Sequence, residues 1–208
     1  MKKYKAIIYD IDGTILNTLD MNMYPLIKII KEELHIDVSF EDVLKYAPWP
    51  GMKVMEDLGI KNKEQVYARW VKYVNEYPAG AIPYPNIEKI LIEFKKAGII
   101  QAVVSAKTKK QYQIDMVNKG LDQYMQTAIL AEDTLNHKPH PEPLLTCLKR
   151  LNIHPDEAIY IGDAPSDALA AHNAKMDFGH AMWGNVTETI IDKATFSFNQ
   201  PSDLLKLI

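Results

Sequence analysis

The four-residue apolar run Ala6-Ile7-Ile8-Tyr9 is cut off by Asp10-Ile11-Asp12-Gly13-Thr14, and this junction admits few architectures. A short apolar run bounded by a turn signal reads as a buried strand. Along a strand, Asp10 and Asp12 would be governed by side-to-side alternation. A glycine turn at the C-terminal end instead lets both carboxylates be aimed at one crevice. There one carboxylate can be a nucleophile and metal ligand while the other handles protons. An ordinary Asp-Gly turn would need neither role; the rest of the chain decides between the two.

From about Leu16 to Tyr77 every periodic segment is helical. Met23, Leu26, Ile27, Ile30 and Leu34 recur at helical spacing, as do Phe40, Val43, Leu44 and Ala47, and then Val66, Trp70, Val74 and Tyr77. From Pro83 onward strands alternate with helices. A helix carrying Ile87, Ile90, Leu91 and Phe94 stops at Gly98, and the run Ile99 to Val104 follows as a buried parallel strand. Thr108 and Gln111 form a capping box for the next helix. Further strands are expected at Thr127–Leu130, Ala158–Ile161, Phe178–Met182 and Thr195–Phe198, with helices opening at Pro141, Pro165 and Ser202. The pattern predicts an α/β fold: a Rossmann-like, doubly wound parallel sheet with an inserted α-helical cap. Residues 1–16 and 83–208 form the expected catalytic core and residues 17–82 the cap, with the two crossings as hinges.

Composition excludes several functions. The 24 Lys and Arg against 27 Asp and Glu give a net charge of −3, with no basic stripe to suggest a nucleic-acid partner. No apolar stretch approaches the roughly 20 residues needed to span a bilayer. The start Met1-Lys2-Lys3-Tyr4-Lys5 looks like the n-region of a signal peptide, but the apolar run behind it is only four residues long. The single cysteine, Cys147, lies between Leu145 and Leu148 on an apolar helix face. It reads as core filling in a reducing compartment, and the cytoplasm is the expected location.

Three further polar signals stand where the later strands end, on the rim where open α/β sheets bind ligands. Ser105 closes the strand ending at Val104. Lys138 sits in His137-Lys138-Pro139-His140-Pro141. Asp163 and Asp167 lie in Gly162-Asp163-Ala164-Pro165-Ser166-Asp167. A carboxylate pair, a hydroxyl, a lysine and a second carboxylate pair suit a phosphate group and a divalent cation. The flanking histidines suit softer metals than this oxygen-rich set would hold.

These motifs, in this order, resemble the haloacid dehalogenase superfamily of phosphohydrolases, in the class with a helical cap between the first two motifs. The resemblance covers essentially the whole chain. It implies that Asp10 attacks phosphorus to form an aspartyl-phosphate, that Asp12 serves as acid and then base, and that Thr14 orients Asp12. It further implies that Ser105 and Lys138 hold the phosphoryl group. Mg²⁺ would be held by Asp10, the Asp12 backbone carbonyl and Asp163, with Asp167 holding a metal-bound water or bracing Lys138. Asn17 and Ala106 depart from residues frequent in relatives.

The reading is a Mg²⁺-dependent phosphatase for a small phosphorylated metabolite, similar to the phosphoglycolate-phosphatase branch. The alternative is a sugar phosphomutase of the β-phosphoglucomutase type, which would carry a histidine where Asn22 stands. A phosphate-binding or regulatory protein is a third possibility, against which the complete set of charged residues argues. Dehalogenases and phosphonatases lack a second aspartate equivalent to Asp12. Within the cap, Pro48-Trp49-Pro50-Gly51 is the candidate specificity loop. Prolines stiffen it, Gly51 allows close backbone approach, and Trp49 offers an apolar face with one N–H donor.

Overall fold

The computed structural model describes residues 3–187, 191 and 194–208; Met1 and Lys2 of the n-region-like start lie outside them. Among the described residues no helix is long and apolar enough to cross a membrane. The chain divides into two compact units, one of Met1–Asn17, Pro83–Asn185 and Thr189–Ile208, the other of Thr18–Ile82 and Val186–Glu188.

The first unit is built on β1 (Ala6–Tyr9), followed after the helical segment by five more sheet strands. Short strands β2 (Leu16–Asn17) and β3 (Ile82–Pro83) form a separate two-stranded sheet. The main strands are β4 (Ile100–Val104), β5 (Thr127–Ile129), β6 (Ala158–Gly162), β7 (Asp177–Ala181) and β8 (Phe196–Phe198). They lie in the order β5-β4-β1-β6-β7-β8, and every pairing in this sheet is parallel. The expected Rossmann-like α/β core is therefore present. The chain winds from β1 out to β5, then returns to β6 on the other side of β1. That reversal makes the C-terminal end of β1 the topological switch point, where such sheets form their ligand crevice. Register brings the rim together: Tyr9 is level with Val103 on one side and Ile161 on the other.

Both sheet faces are covered, so the central strands are predominantly apolar. On one face Ala6, Ile8, Ala102, Tyr160 and Phe178 pack with Leu144, Cys147, Leu148 and Ala171; Cys147 is core, as its neighbours suggested. On the other face lies Gln101, whose buried amide would be costly unless satisfied. Tyr9 Oη donates to its Oε1 at 3.1 Å and its Nε2 donates to the Leu91 carbonyl at 2.9 Å. The helical segment expected from Ser202 is a 3-10 turn series, Pro201–Leu207, and the helix expected after Thr108 changes character at Gln113, as described below.

The second unit packs α1 (Leu19–Leu34), α2 (Phe40–Val43), α3 (Gly51–Asp57) and α4 (Lys63–Asn75). Met21, Met23, Leu26, Ile29 and Ile30 form the buried stripe of α1 and Val66, Trp70 and Val74 that of α4. Trp70 Nε1 donates to the Asn22 carbonyl at 3.0 Å, tying the two helices together.

Candidate active site

Lys138 lies at the centre of the rim. Its Nζ stands 2.9 Å from Asp10 Oδ1 and 2.7 Å from Asp167 Oδ1, and donates to Tyr160 Oη at 3.0 Å. Tyr160 Oη in turn donates to the Val104 carbonyl at 3.0 Å. Thus β6 holds the lysine with a side chain whose ring belongs to the core and whose tip is polar. Burial opposes the ammonium, but the Asp10 and Asp167 carboxylates outweigh it and keep Lys138 charged, well above its ordinary range.

Asp10 follows β1 directly, its backbone N–H donating to the Ile161 carbonyl at 2.8 Å. Burial pushes its carboxyl up, Lys138 pulls it back, and the Asp167 and Asp12 charges push again, leaving it at about 7. Asp163 is raised by burial first and then by Asp167 and Asp10. Asp10, Asp163 and Asp167 each offer a carboxylate oxygen within 4.8 Å of the others. Three acidic groups sharing one ammonium leave excess negative charge in a water-poor site. Hard oxygen donors with that charge fit a divalent cation of the Mg²⁺ kind. His137 and His140 are not in this cluster.

The turn after β1 is shaped by Gly13, at φ +75°, where a Cβ would stand 2.2 Å from Asp163 Oδ2. The glycine therefore provides both the left-handed backbone and the room for Asp163. Thr14 Oγ1 donates to Asp163 Oδ1 at 3.4 Å, so the hydroxyl expected to orient Asp12 reaches Asp163 instead. Its N–H donates to the Ile11 carbonyl at 3.3 Å. Ser105 follows β4, accepting at Oγ from the Lys107 N–H at 3.3 Å. A cavity beside Ser105 and Lys138 is lined also by Ala106, Thr134 and His137.

Several participants escaped the sequence reading. Lys107, buried, places Nζ 2.9 Å from Asp12 Oδ1. Trp183 Nε1 donates to the Thr14 carbonyl at 3.0 Å, and its ring meets Tyr84 edge-on at 6.4 Å. The Tyr84 phenol is pushed up to about 12, by burial first and then by the Asp163 and Asp12 carboxylates. A lysine two residues beyond a strand-end serine was a usable signal. Trp183-Gly184, at the end of another sheet strand, was a weaker one.

In the second unit, Trp49 is half-buried, with its ring edge-on to Tyr46 at 5.5 Å and the Lys53 ammonium 4.3 Å from its centroid. A Cβ on Gly51 would stand 2.2 Å from the Tyr67 ring, so the close approach at this glycine is made by a cap side chain.

A family model described as haloacid dehalogenase-like hydrolase matches residues 7–181. Pyrophosphatase PpaX of Bacillus velezensis is 25% identical over 206 residues, covering 99% of this chain and 93% of its own. A crystal structure from Lactobacillus plantarum, named as a proposed phosphoglycolate phosphatase, is 28% identical with a TM-score of 0.91 and full coverage of both chains. The β-phosphoglucomutase structure from Clostridium difficile is 22% identical with a TM-score of 0.77, covering 97% of this chain and 93% of its own; at that identity the likeness is one of fold.

Proposed function

The chain belongs to the haloacid dehalogenase-like hydrolase family, and on that premise we propose that it is a Mg²⁺-dependent phosphatase acting on a small phosphate monoester through an aspartyl-phosphate. The observation that carries this reading is Lys138 bridging Asp10 and Asp167 at the switch point of the sheet, with Asp163 completing an acidic cluster.

In the first step an Asp10 carboxylate oxygen forms a bond to phosphorus as the ester P–O bond breaks, and Asp12 gives the leaving oxygen a proton. In the second, Asp12 takes a proton from water, whose oxygen bonds to phosphorus as the aspartyl P–O bond breaks. Inorganic phosphate leaves and both aspartates are restored. Ser105 and Lys138 hold the phosphoryl oxygens, and Lys138 balances their charge, a division suited to a reaction governed by positioning and electrostatics. Asp10, Asp163 and the Asp12 backbone carbonyl, supported by Asp167, would hold the Mg²⁺. When bound, the cation supplies positive charge that orients the phosphoryl group and eases approach of the Asp10 carboxylate.

The phosphatase and pyrophosphatase names of the relatives support a small phosphorylated substrate. The phosphomutase alternative finds no matching group at Asn22: its Nδ2 donates to the Thr18 carbonyl at 2.8 Å, and an amide is no general acid. The cytoplasm remains the proposed location. The test is phosphate release from a panel containing 4-nitrophenyl phosphate, phosphoglycolate, sugar phosphates and pyrophosphate, with Mg²⁺ and with excess chelator. Mg²⁺-dependent release from at least one monoester is expected. Release in chelator, or from pyrophosphate alone, would overturn the reading.

A further inference from the structure

Asp12 is tethered by a buried charge relay that lies outside the four motifs. Lys107 Nζ stands 2.9 Å from Asp12 Oδ1 and 2.7 Å from Asp115 Oδ2. Lys107 is only 7% exposed and Asp115 only 2%. The backbone of Lys107 is pinned on both sides: its N–H donates to Ser105 Oγ at 3.3 Å and its carbonyl accepts from the Ala131 N–H at 2.9 Å.

Asp115 is delivered by an irregular turn. The capping box of Thr108 and Gln111 starts a short helix, Lys109–Tyr112, and the chain then widens into a π-helical turn, Gln113–Val117. Single π turns interrupting helices are frequent at functional sites. Tyr112, Asp115 and Met116 are all buried there, so Asp115 occupies a position on an apolar stripe. Two well-packed apolar side chains would serve stability as well as or better than a buried ion pair. The use of the pair therefore lies in what its free end holds.

We propose that Lys107 and Asp115 are positioning residues for Asp12. Asp115 fixes the Lys107 ammonium, the ammonium grips Asp12 Oδ1, and Asp12 Oδ2 is left free for proton transfer to the leaving oxygen and from the attacking water. The inference rests on the hydrolase reading above and adds two residues to it. A carboxylate held by one oxygen loses the rotational freedom that would otherwise scatter its proton-transfer geometry.

The test compares two phosphate esters in the full-length, Mg²⁺-loaded protein. 4-Nitrophenyl phosphate releases a weakly basic phenolate that needs little help from an acid; glycerol 2-phosphate releases an alkoxide that needs a proton. The double variant Lys107→Met/Asp115→Leu removes both charges, so no buried charge is stranded, and Asp115→Asn serves as the conservative single change. In both, kcat for glycerol 2-phosphate should fall about 10–100-fold, within the usual range of general-acid contributions, while kcat for 4-nitrophenyl phosphate falls much less. KM for each ester and Tm should stay near wild type in the double variant. Equal losses on both esters, or no loss on either, would overturn the positioning role. Mg²⁺-dependent turnover of no monoester, neither these two nor any in the panel above, by the wild-type protein would bring down the hydrolase reading itself, a distinguishable failure.

Discussion

Gly184 lies so close to Gly13 that a Cβ on it would stand 1.8 Å from the Gly13 carbonyl oxygen. The turn after β7 is thereby pressed against the turn that carries Asp12, and the Trp183 indole N–H fastens it to the Thr14 carbonyl at 3.0 Å. Backbone, unlike a side-chain tip, cannot step aside cheaply. Gly184→Ala should therefore cost about 1–3 kcal/mol or more, as overpacking does, and should lower kcat by displacing the Asp12 turn. Thermal unfolding and steady-state kinetics on 4-nitrophenyl phosphate check both. A variant with unchanged Tm and unchanged kcat would mean that the two turns can part without consequence.

Asp10→Asn should lower turnover by more than about a thousandfold, because an amide is neither a competent nucleophile nor an anionic metal ligand. The fold should survive, since Lys138 keeps its 2.7 Å contact with Asp167. Rapid acid quenching with radiolabelled phosphate ester should trap a phosphoprotein in the wild type and none in the variant. A labelled variant would move the nucleophile elsewhere.

Removing metal should make stability depend on pH in a stated direction. Asp10 is raised to about 7 in the fold, by burial first, against the pull of Lys138. A carboxyl raised above its unfolded value contributes stability that is complete below about pH 4 and is lost as pH rises through the folded value. In excess chelator, Tm should fall from about pH 4 to about pH 7 and level off above that, and fall less in Asp10→Asn, which has no such proton to lose. Added Mg²⁺ should flatten the wild-type slope by neutralising the ionised cluster. Parallel slopes in wild type and variant would assign the pH dependence to other groups.

The centre of the sheet was legible because β1, β4 and β6 are short, predominantly apolar runs ending at a polar or glycine signal, and register then had to bring Asp10, Ser105 and Asp163 to one rim. The motif residues were legible for the same reason. What escaped was set by packing at a distance. Lys107 and Asp115 are eight residues apart, and nothing in local pattern says that a helix will widen by one residue to deliver Asp115. A polar residue on the stripe Tyr112–Asp115–Met116 was the available hint. Thr14 shows the opposite limit: its nearest carboxylate in sequence is Asp12, yet its hydroxyl reaches Asp163, because the turn at Gly13 rotates it towards β6. Gly51 reads in the sequence as allowing close backbone approach, and the side chain making such an approach is Tyr67, a neighbour distant enough in sequence that no local pattern names it.

Trp49 allows a test of whether the cap selects substrate. Its ring is braced by the Tyr46 edge at 5.5 Å and by the Lys53 ammonium at 4.3 Å, while Tyr46 Oη donates to Asp57 at 2.7 Å. The ring is thus held in one orientation while half-exposed, a state that suits a contact surface better than a core filler. On the proposed function Ser105 and Lys138 recognise only the phosphoryl group common to every phosphate ester, and Trp49 is the proposed candidate for choice among leaving groups. Trp49→Ala should reduce kcat/KM for the best natural substrate at least about tenfold, because binding energy remote from the reacting atoms is lost. Turnover of 4-nitrophenyl phosphate should change much less, with Tm lowered by only a few degrees. Measured together, an equal fall on both substrates with a large loss of Tm would assign Trp49 to packing and place substrate selection on other cap residues.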